Sequence, residues 1–294
     1  MYYRRKIILS LLELIGREIS KLDFQKLLFL FSIKQETPAY NFVPYKFGCY
    51  SFLAAADLST LSKYGTVKEG EKFYSLIDNG KYFSELTDDD KEKLKDTIKT
   101  FGNYSTDGLI KYVYKNYPYY AINSLVAKDK LNANEIALVQ KQKPSINTKR
   151  LFTIGYEGIS VEEYFNRIIT NDIKVLCDVR NSPHSMKYGF SKSQLEKFCD
   201  GLGIIYIHIP GLGIESDKRQ QLVTQDDYDT LFNTYRITTL NSNQKDQQQI
   251  KELLNKYNRI ALTCFEKNIH QCHRYHLANS ITTVFAKGIE VEHI

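Results

Sequence analysis

The sequence predicts an α/β protein of two domains, in which a mostly helical N-terminal domain precedes a three-layer α/β domain with a largely parallel sheet. Two observations predict this. Apolar residues recur at helical spacing through the first half of the chain, and predicted strands alternate with predicted helices through the second half. The length of 294 residues, with 43% hydrophobic and 25% charged residues, is typical of a globular chain long enough for two cores.

Apolar spacing predicts three helices in the first 64 residues, the third over residues 51–64. Ser20 is a suitable N-cap for the second helix, because Asp23 follows three residues later. Residues 67–76 then predict two short strands around a turn at Gly70. Three helices followed by a hairpin is the order of elements in a winged helix-turn-helix. The remaining predicted helices of this domain, assigned to residues 1–140, cover residues 88–100, 106–116 and 134–140.

The segment 111–120 of the N-terminal domain interleaves two lysines with five tyrosines. One interpretation is a surface on which nucleic-acid bases stack and phosphates bind. The other is a helix whose edge, including Tyr112, Val113 and Tyr117, packs on the domain while the lysines face water. The sequence leaves both interpretations open.

Residues 141–149 are polar, lack periodicity and contain Pro144, so they are interpreted as the linker before a second domain over residues 150–294. In this domain we predict helices that begin at the N-caps Ser160 and Ser191. Strands alternating with helices indicate a largely parallel sheet that is covered on both faces. The remaining predicted helices cover about residues 225–257, with a break near 241–243, and 272–285; the predicted strands cover residues 151–154, 173–177, 204–207, 259–263 and 289–292.

Charge is distributed unevenly between the two halves, because the whole formal net charge of +6 lies within residues 1–149. An excess of lysine can attract a phosphate backbone, but it is equally compatible with a solvated surface. The five cysteines are an odd number spread over a long chain, which is typical of a reducing compartment. With no signal peptide or membrane span predicted, we expect a cytoplasmic protein that does not bind membranes.

Polar or glycine residues follow each of the first four predicted strands of the second domain. Because ligands bind at the carboxyl ends of the strands of open parallel sheets, these residues indicate a site at that edge. Arg180 and Arg274 are candidates to clamp a phosphate or a carboxylate. The candidate general bases, or acceptors for ribose hydroxyls, are Glu157, Asp178 and Glu266. Each of these acids could equally form a structural ion pair with an arginine.

Tyr156 is a candidate to stack on a base and His208 to bond near a phosphate, although both could instead be residues of the core edge. Cys272 would lie at a helix N-terminus, where the pKa of a thiol falls, and Cys264 ends a strand. The tight cradle loop of cysteine phosphatases and sulfurtransferases is missing after Cys264, which argues against covalent thiol chemistry.

Cys264, His270, Cys272 and His273 could supply soft ligands to zinc. Adjacent residues of a helix point in different directions, however, so Cys272 and His273 are expected to diverge. We therefore predict no metal site, and we name no cofactor.

The C-terminal half resembles the domain-of-unknown-function family 488, whose pattern joins a glycine turn, an Asp-Val-Arg, a Cys-x-Glu and a Cys-His-Arg. Where the family often has Leu-Gly-Gly after the third strand, this chain has Leu212-Gly213-Ile214. The resemblance implies the α/β fold and, through the names of some members, a DNA repair context. The matching residues are Gly155-Tyr156-Glu157-Gly158, Asp178-Val179-Arg180, Cys264 with Glu266, and Cys272-His273-Arg274.

The N-terminal half is similar to the winged-helix-like domains of toxin–antitoxin and phage-defence proteins. The residues that carry this resemblance are Leu22-Asp23-Phe24-Gln25-Lys26-Leu27-Leu28 and Val43-Pro44-Tyr45-Lys46-Phe47-Gly48.

Together these observations favour an enzyme of DNA repair or defence that acts on a nucleotide or a nucleic acid. Its acids and arginines would form the site at the sheet edge, and the basic N-terminal domain would recruit the substrate or a protein partner. A non-catalytic nucleotide sensor and a module that binds protein or DNA are the alternatives. The sequence determines neither the substrate nor the oligomeric state.

Overall fold

The computed structural model describes residues 1–219 and 222–294. The chain divides into two compact units, Met1–Lys143 and Pro144–Ile294. This division lies within the segment 141–149 that the sequence analysis interprets as a linker. Each unit buries its own set of apolar side chains, and each is described here by itself.

The N-terminal unit is mostly helical and contains two small antiparallel sheets. One sheet has the strand order β1-β5-β4, and the other is the hairpin of β2 and β3. The helices are α1 (Tyr3–Ile15), α2 (Lys21–Ser32), α3 (Phe52–Lys63), α4 (Asp88–Phe101), α5 (Thr106–Asn116), α6 (Ala127–Lys130) and α7 (Ala133–Gln142). The strands are β1 (Ile19–Ser20), β2 (Val43–Tyr45), β3 (Gly48–Tyr50), β4 (Val67–Glu69) and β5 (Phe73–Leu76).

Local sequence signals determine where the first helices of this unit begin and end. α1 stops at Gly16, which adopts the left-handed conformation with φ of 63° that favours glycine. Ser20 caps α2, because its hydroxyl accepts a hydrogen bond of 3.0 Å from the backbone N–H of Asp23. The predicted apolar stripe of α2, which includes Phe24 and Leu28, is fully buried in the core.

The tyrosines of the segment 111–120 belong to this core. Tyr114 is buried, and its hydroxyl lies 2.7 Å from that of Ser124. Tyr117 and Tyr120 pack edge-on against Phe29, with ring centroids 5.2 and 4.6 Å apart. Rings that pack in this way do not present a stacking surface, so the structure favours the packing interpretation of the segment. The buried edge includes Tyr114, which the sequence analysis did not place there.

The C-terminal unit is a five-stranded sheet with helices on it. Its strands are β6 (Arg150–Gly155), β7 (Val175–Asp178), β8 (Ile205–His208), β9 (Arg259–Cys264) and β10 (Glu290–His293). The helices are α8 (Val161–Thr170), α9 (Lys192–Leu202), α10 (Gln225–Tyr235), α11 (Gln244–Tyr257) and α12 (His273–Ser280). α10 and α12 each continue into one turn of π-helix, over Arg236–Leu240 and Ile281–Phe285.

The strands of this sheet run in the order β10-β6-β9-β7-β8, and all four neighbouring pairs are parallel. On one face, residues such as Leu151 and Leu262 pack against α10, α11 and α12. The alternate residues, such as Phe152 and Ala261, are also buried, and Tyr164 of α8 donates a hydrogen bond to Thr263. Both faces are therefore covered, and the prediction of an α/β fold with a parallel sheet is confirmed.

Ser160 and Ser191 precede α8 and α9, as predicted, but only Ser160 uses its side chain as the cap. Its hydroxyl accepts from the backbone N–H of Glu163 at 3.1 Å. The hydroxyl of Ser191 instead donates to the backbone carbonyl of Ser185 and accepts from the backbone N–H of Ser185. The predicted capping interaction of Ser191 is therefore wrong, because this side chain closes the loop that precedes the helix.

Among the helices of residues 1–219 and 222–294, all are too short or too polar to cross a membrane.

Candidate functional site

A cavity of about 260 Å³ lies at the carboxyl edge of the C-terminal sheet. Tyr156 follows β6, the loop of residues 180–186 follows β7, and Cys264 ends β9, so three neighbouring strands form its walls. Arg219 and His273 complete the lining together with apolar side chains such as Ile214. This is the edge at which the sequence analysis places a site.

Arg180 and Asp178 form a buried ion pair on one side of this cavity. The guanidinium donates from Nε and Nη2 to the two carboxylate oxygens of Asp178, at 2.8 and 2.5 Å. Tyr206 of β8 donates a further bond of 2.7 Å to the same carboxylate. Burial lowers the pKa of Arg180, but the bonds to Asp178 raise it by more, so the guanidinium stays charged.

Asp178 itself is fully buried. Both of its oxygens are engaged by Arg180 and Tyr206, so it holds the arginine in place instead of serving as the predicted general base. Arg180 remains a lining residue, as predicted for ligand binding. Asp178 therefore forms the structural ion pair that was the alternative to a catalytic role, while Arg180 still contributes to the cavity.

Tyr156 is fixed by three neighbours. Its ring stacks on Phe190, with centroids 4.3 Å apart and planes 7° apart, and it meets Phe265 edge-on. Its hydroxyl accepts a bond of 2.7 Å from Arg180. Phe190 thus already covers one face of the ring that was predicted to stack on a base. His208 is not among the residues that line the cavity, and its Nε2 is 2.9 Å from the carbonyl oxygen of Arg180.

Arg274 does not have the predicted role of a clamp. Its side chain is buried, and its guanidinium donates to the carbonyl oxygens of Glu266 and Lys267. Gly155 makes this arrangement possible, because a Cβ there would lie 2.0 Å from the carbonyl oxygen of Glu266 and 3.0 Å from Nη2 of Arg274. Arg274 therefore fixes the loop after β9 against the end of β6, and it is not among the residues that line the cavity.

Two of the predicted acids also have partners. Glu266 forms an ion pair with Arg219, and its Oε2 accepts a bond of 3.2 Å from Sγ of Cys264. Glu157 accepts a bond of 2.9 Å from the backbone N–H of Lys267. Burial and the neighbouring Cys264 both raise the pKa of Glu266. Of the three acids, Glu266 is the one that contacts two residues lining the cavity, Cys264 and Arg219.

Cys264, Cys272 and His273 are buried together, and their side chains converge. Each offers one metal-ligating atom, and these atoms all lie within 4.8 Å of one another. The expectation that Cys272 and His273 diverge is wrong, because Cys272 is not helical. It is the N-cap of α12, with φ of −132° and ψ of 133°, and this extended backbone turns its thiol toward the side of His273. His270, by contrast, is exposed, and its ring packs on that of Tyr275.

The two thiols of this group differ in acidity. The hydrogen bond from Cys272 lowers the pKa of the Cys264 thiol against the effect of burial, and His273 and Arg219 lower it further. Burial and the neighbouring Cys264 raise the pKa of Cys272. Cys264 is therefore the more acidic thiol, whereas the sequence analysis expected the helix N-terminus to favour Cys272.

Arg219 and residues 182–186 of the loop after β7 were not predicted from the sequence. Arg219 lies in a stretch without periodicity or a recognisable motif, so no local pattern indicates that its side chain joins the cavity. The loop brings Ser182, His184 and Ser185 to the lining. Gly213 packs this loop closely, because a Cβ there would lie 2.1 Å from the backbone nitrogen of Asn181. The glycine in the Leu212-Gly213-Ile214 segment thus has a structural role.

Comparison with known proteins supports the resemblance of the C-terminal half. No curated protein matches the chain. The model of the family described as Domain of unknown function DUF488 matches residues 160–281. The match includes Asp178, Arg180, Cys264 and the Cys272-His273-Arg274 segment, whereas the turn at Gly155 precedes it. The match lies wholly within the C-terminal unit, and this unit is therefore similar to the domain of unknown function DUF488.

Proposed function

We propose that the C-terminal unit is an enzyme that acts on a nucleotide or a nucleic acid, whose phosphate enters the cavity at the carboxyl edge of the sheet. The observation that carries this proposal is the meeting of Arg219 and Arg180 with the buried Cys264 and His273 around one polar cavity. Arginines supply the charge and the forked donors that phosphates bind, and the thiol and imidazole are groups that can act in proton transfer or as metal ligands.

Arg219 is the more accessible of the two arginines. Its side chain is 23% exposed, compared with 6% for Arg180. A guanidinium carries five N–H donors, and the bond to Glu266 uses one of them. Arg219 is therefore the better candidate to contact a ligand, whereas Arg180 and the hydroxyls of Ser182 and Ser185 would line its path.

The N-terminal unit is proposed to bind DNA or a protein partner in a context of DNA repair or defence. Its three-stranded sheet and its three helices followed by the β4–β5 hairpin support a winged-helix-like domain, although the β2–β3 hairpin is inserted between α2 and α3. Residues 1–149, which contain this unit, carry the whole net charge of +6, and this charge favours a phosphate backbone. Two of its arginines, however, are held by Asp57, so lysines would carry most of such an interaction.

One observation favours a second candidate, a non-catalytic nucleotide sensor. The three acids predicted as general bases are all engaged, Asp178 by Arg180, Glu266 by Arg219 and Glu157 by a backbone N–H. A site whose acids are already paired can bind an anion without turning it over. Binding and turnover must therefore be measured separately.

The first test is a thermal-shift and calorimetric screen of the full chain against nucleotides and short DNA and RNA. A ligand at about 100 times its Kd should stabilise the wild type by about 2.7 kcal/mol. Arg219→Ala should lose this stabilisation, measured against the unliganded variant, because the change also removes the counter-charge of Glu266 and can lower the Tm of the free protein. Arg167→Ala is the matched control, because Arg167 is a partly exposed arginine of α8 that also forms an ion pair with a glutamate.

Turnover of any ligand found in this way separates the two candidates. An enzyme should release product, and Cys264→Ala should abolish release while the ligand still binds. A sensor should show binding in both proteins and no product. If no nucleotide or nucleic acid shifts the wild type, or if Arg219→Ala and Arg167→Ala behave alike, the proposed site is wrong.

A further inference from the structure

The buried group of Cys264, Cys272 and His273 has the dimensions of a metal site. In a tetrahedral zinc centre, bonds of about 2.3 Å to sulfur and about 2.0 Å to nitrogen place two sulfurs about 3.8 Å apart and a sulfur and a nitrogen about 3.6 Å apart. Here Sγ of Cys264 lies 3.7 Å from Nδ1 of His273, and all three ligand atoms lie within 4.8 Å of one another. Small side-chain movements would bring all three to one ion.

The imidazole of His273 is oriented as a metal-binding histidine would be. Its Nε2 lies 3.0 Å from the carbonyl oxygen of Val179 and can donate its hydrogen there. This leaves the lone pair of Nδ1 directed at the thiols. Histidines that ligate a metal almost always donate their other N–H to a carboxylate, a backbone carbonyl or water, since this fixes both the tautomer and the ring.

The charge of the group also suits a divalent cation. Two thiolates balance the charge of Zn²⁺, so the buried centre would be neutral, whereas a buried unpaired thiolate is costly. Thiolate and imidazole together are the ligands that zinc prefers over magnesium and calcium. The ion would also have an entry path, because Cys264 and His273 line the cavity.

We propose that Cys264 Sγ, Cys272 Sγ and His273 Nδ1 bind Zn²⁺, with the fourth coordination position facing the cavity. Glu266, whose Oε2 lies 3.2 Å from Sγ of Cys264, contacts one of these ligands and is held by Arg219. Two cysteines and one histidine with an open fourth position are typical of a catalytic zinc site, whereas structural sites are closed by four protein ligands. The zinc site goes beyond the proposed function and does not depend on nucleotide binding.

Metal content of the purified full chain tests this inference directly. We expect one zinc per chain by mass spectrometry of the metal. After removal of zinc with a chelator under reducing conditions, Co²⁺ should give the thiolate-to-cobalt charge-transfer band and the intense visible bands of a tetrahedral centre. This measurement uses the wild type, so it does not depend on whether a variant folds.

Variants then locate the metal. Cys264→Ser, Cys272→Ser and His273→Gln should each weaken Zn²⁺ binding, measured against a competing chelator, by about 100-fold or more. Two controls should retain the wild-type affinity: Cys199→Ala removes a buried cysteine elsewhere in the unit, and His270→Gln removes the nearby exposed histidine.

Three outcomes would overturn the zinc site. The first is a reduced wild type that binds neither zinc nor cobalt. The second is zinc that persists in all three ligand variants. The third is a Cys264–Cys272 disulfide in the purified chain with no metal bound after reduction, which would indicate a redox pair. Nucleotide binding is measured separately. Bound zinc without a nucleotide ligand would refute only the proposed function. A nucleotide ligand without bound zinc would refute only the zinc site.

Discussion

Asp57 in the N-terminal unit and Asp178 in the C-terminal unit are both buried, and each receives hydrogen bonds from arginine and tyrosine. The partners of Asp57 are far away in sequence, since Arg4 and Arg5 of α1 each approach it at 2.6 Å and Tyr40 at 3.0 Å. The principal partner of Asp178 is only two residues away.

This difference in sequence distance corresponds to a difference in what each aspartate holds. Asp57 lies on α3, so its bonds tie that helix to α1 and stabilise the packing of the unit. Asp178 ends β7, and its bonds hold Arg180 at the wall of the cavity. The same three residue types thus stabilise the fold in one unit and shape a candidate site in the other, and only their surroundings distinguish the two.

The largest effects are expected from removing either carboxylate charge. Asp178→Asn should lower the free energy of unfolding by about 3–5 kcal/mol, because it leaves the buried guanidinium of Arg180 without its counter-charge. Asp57→Asn should lower it by less, because the side chains of Arg4 and Arg5 are 30% and 15% exposed and reach solvent. Urea denaturation followed by circular dichroism measures this loss. Only Asp178→Asn should also weaken the binding of a ligand whose binding is lost in Arg219→Ala. Equal loss of binding in both variants would remove the distinction between the two clusters.

The tyrosine partners provide a milder form of the same comparison. Tyr40→Phe and Tyr206→Phe each remove one hydrogen bond to a buried carboxylate, and each should cost about 1.5–3 kcal/mol of stability. The loss in Tyr206→Phe should be accompanied by weaker ligand binding, because Arg180 becomes less firmly held. Denaturant midpoints at neutral pH together with the calorimetric Kd measure the two effects. A fully stable Tyr40→Phe would show that the Asp57 cluster does not depend on its third donor.

The smallest effect concerns pH. Burial raises the pKa of Tyr114 to about 12 from its usual 10. The unfolded chain therefore loses this proton at lower pH than the folded chain, so the contribution of Tyr114 is fully present below pH 10 and is lost as pH rises toward 12. Between pH 8 and pH 11 the free energy of unfolding of the wild type should therefore fall by about 1 kcal/mol more than that of Tyr114→Phe, after allowance for solvent screening. Denaturation of both proteins at pH 8 and pH 11 measures it, and an identical difference at the two pH values would contradict it.

The order of helices and strands was accessible from sequence because it depends on local patterns. Apolar periodicity identified α2 and α3, alternation of elements identified the parallel sheet, and Ser20 and Ser160 marked helix starts. The carboxyl edge followed from the general behaviour of parallel sheets. These inferences need only neighbours within a few residues, or a rule that holds for every sheet of this kind.

Which residues form the site depends on contacts between segments that are distant in sequence. Asp178 and Arg274 have the residue types of a ligand site, yet the first is occupied by Arg180 and the second by backbone carbonyls. Arg219, in a segment without a pattern, instead joins the cavity. Sequence alone supplies the types of side chain but not the partners that each one has in the folded chain.

The sequence by itself determined that a parallel sheet would collect polar side chains at one edge, and it named Arg180 and Cys264 among them. Only the tertiary structure decided that Cys264, Cys272 and His273 converge. Helical spacing would have separated Cys272 from His273, but the extended backbone of the N-cap turns the thiol of Cys272, and the loop after β9 brings that thiol back to Cys264 at the end of the strand. Backbone conformation at one residue and long-range packing, neither of which has a local pattern, thus placed the group on which the zinc proposal rests.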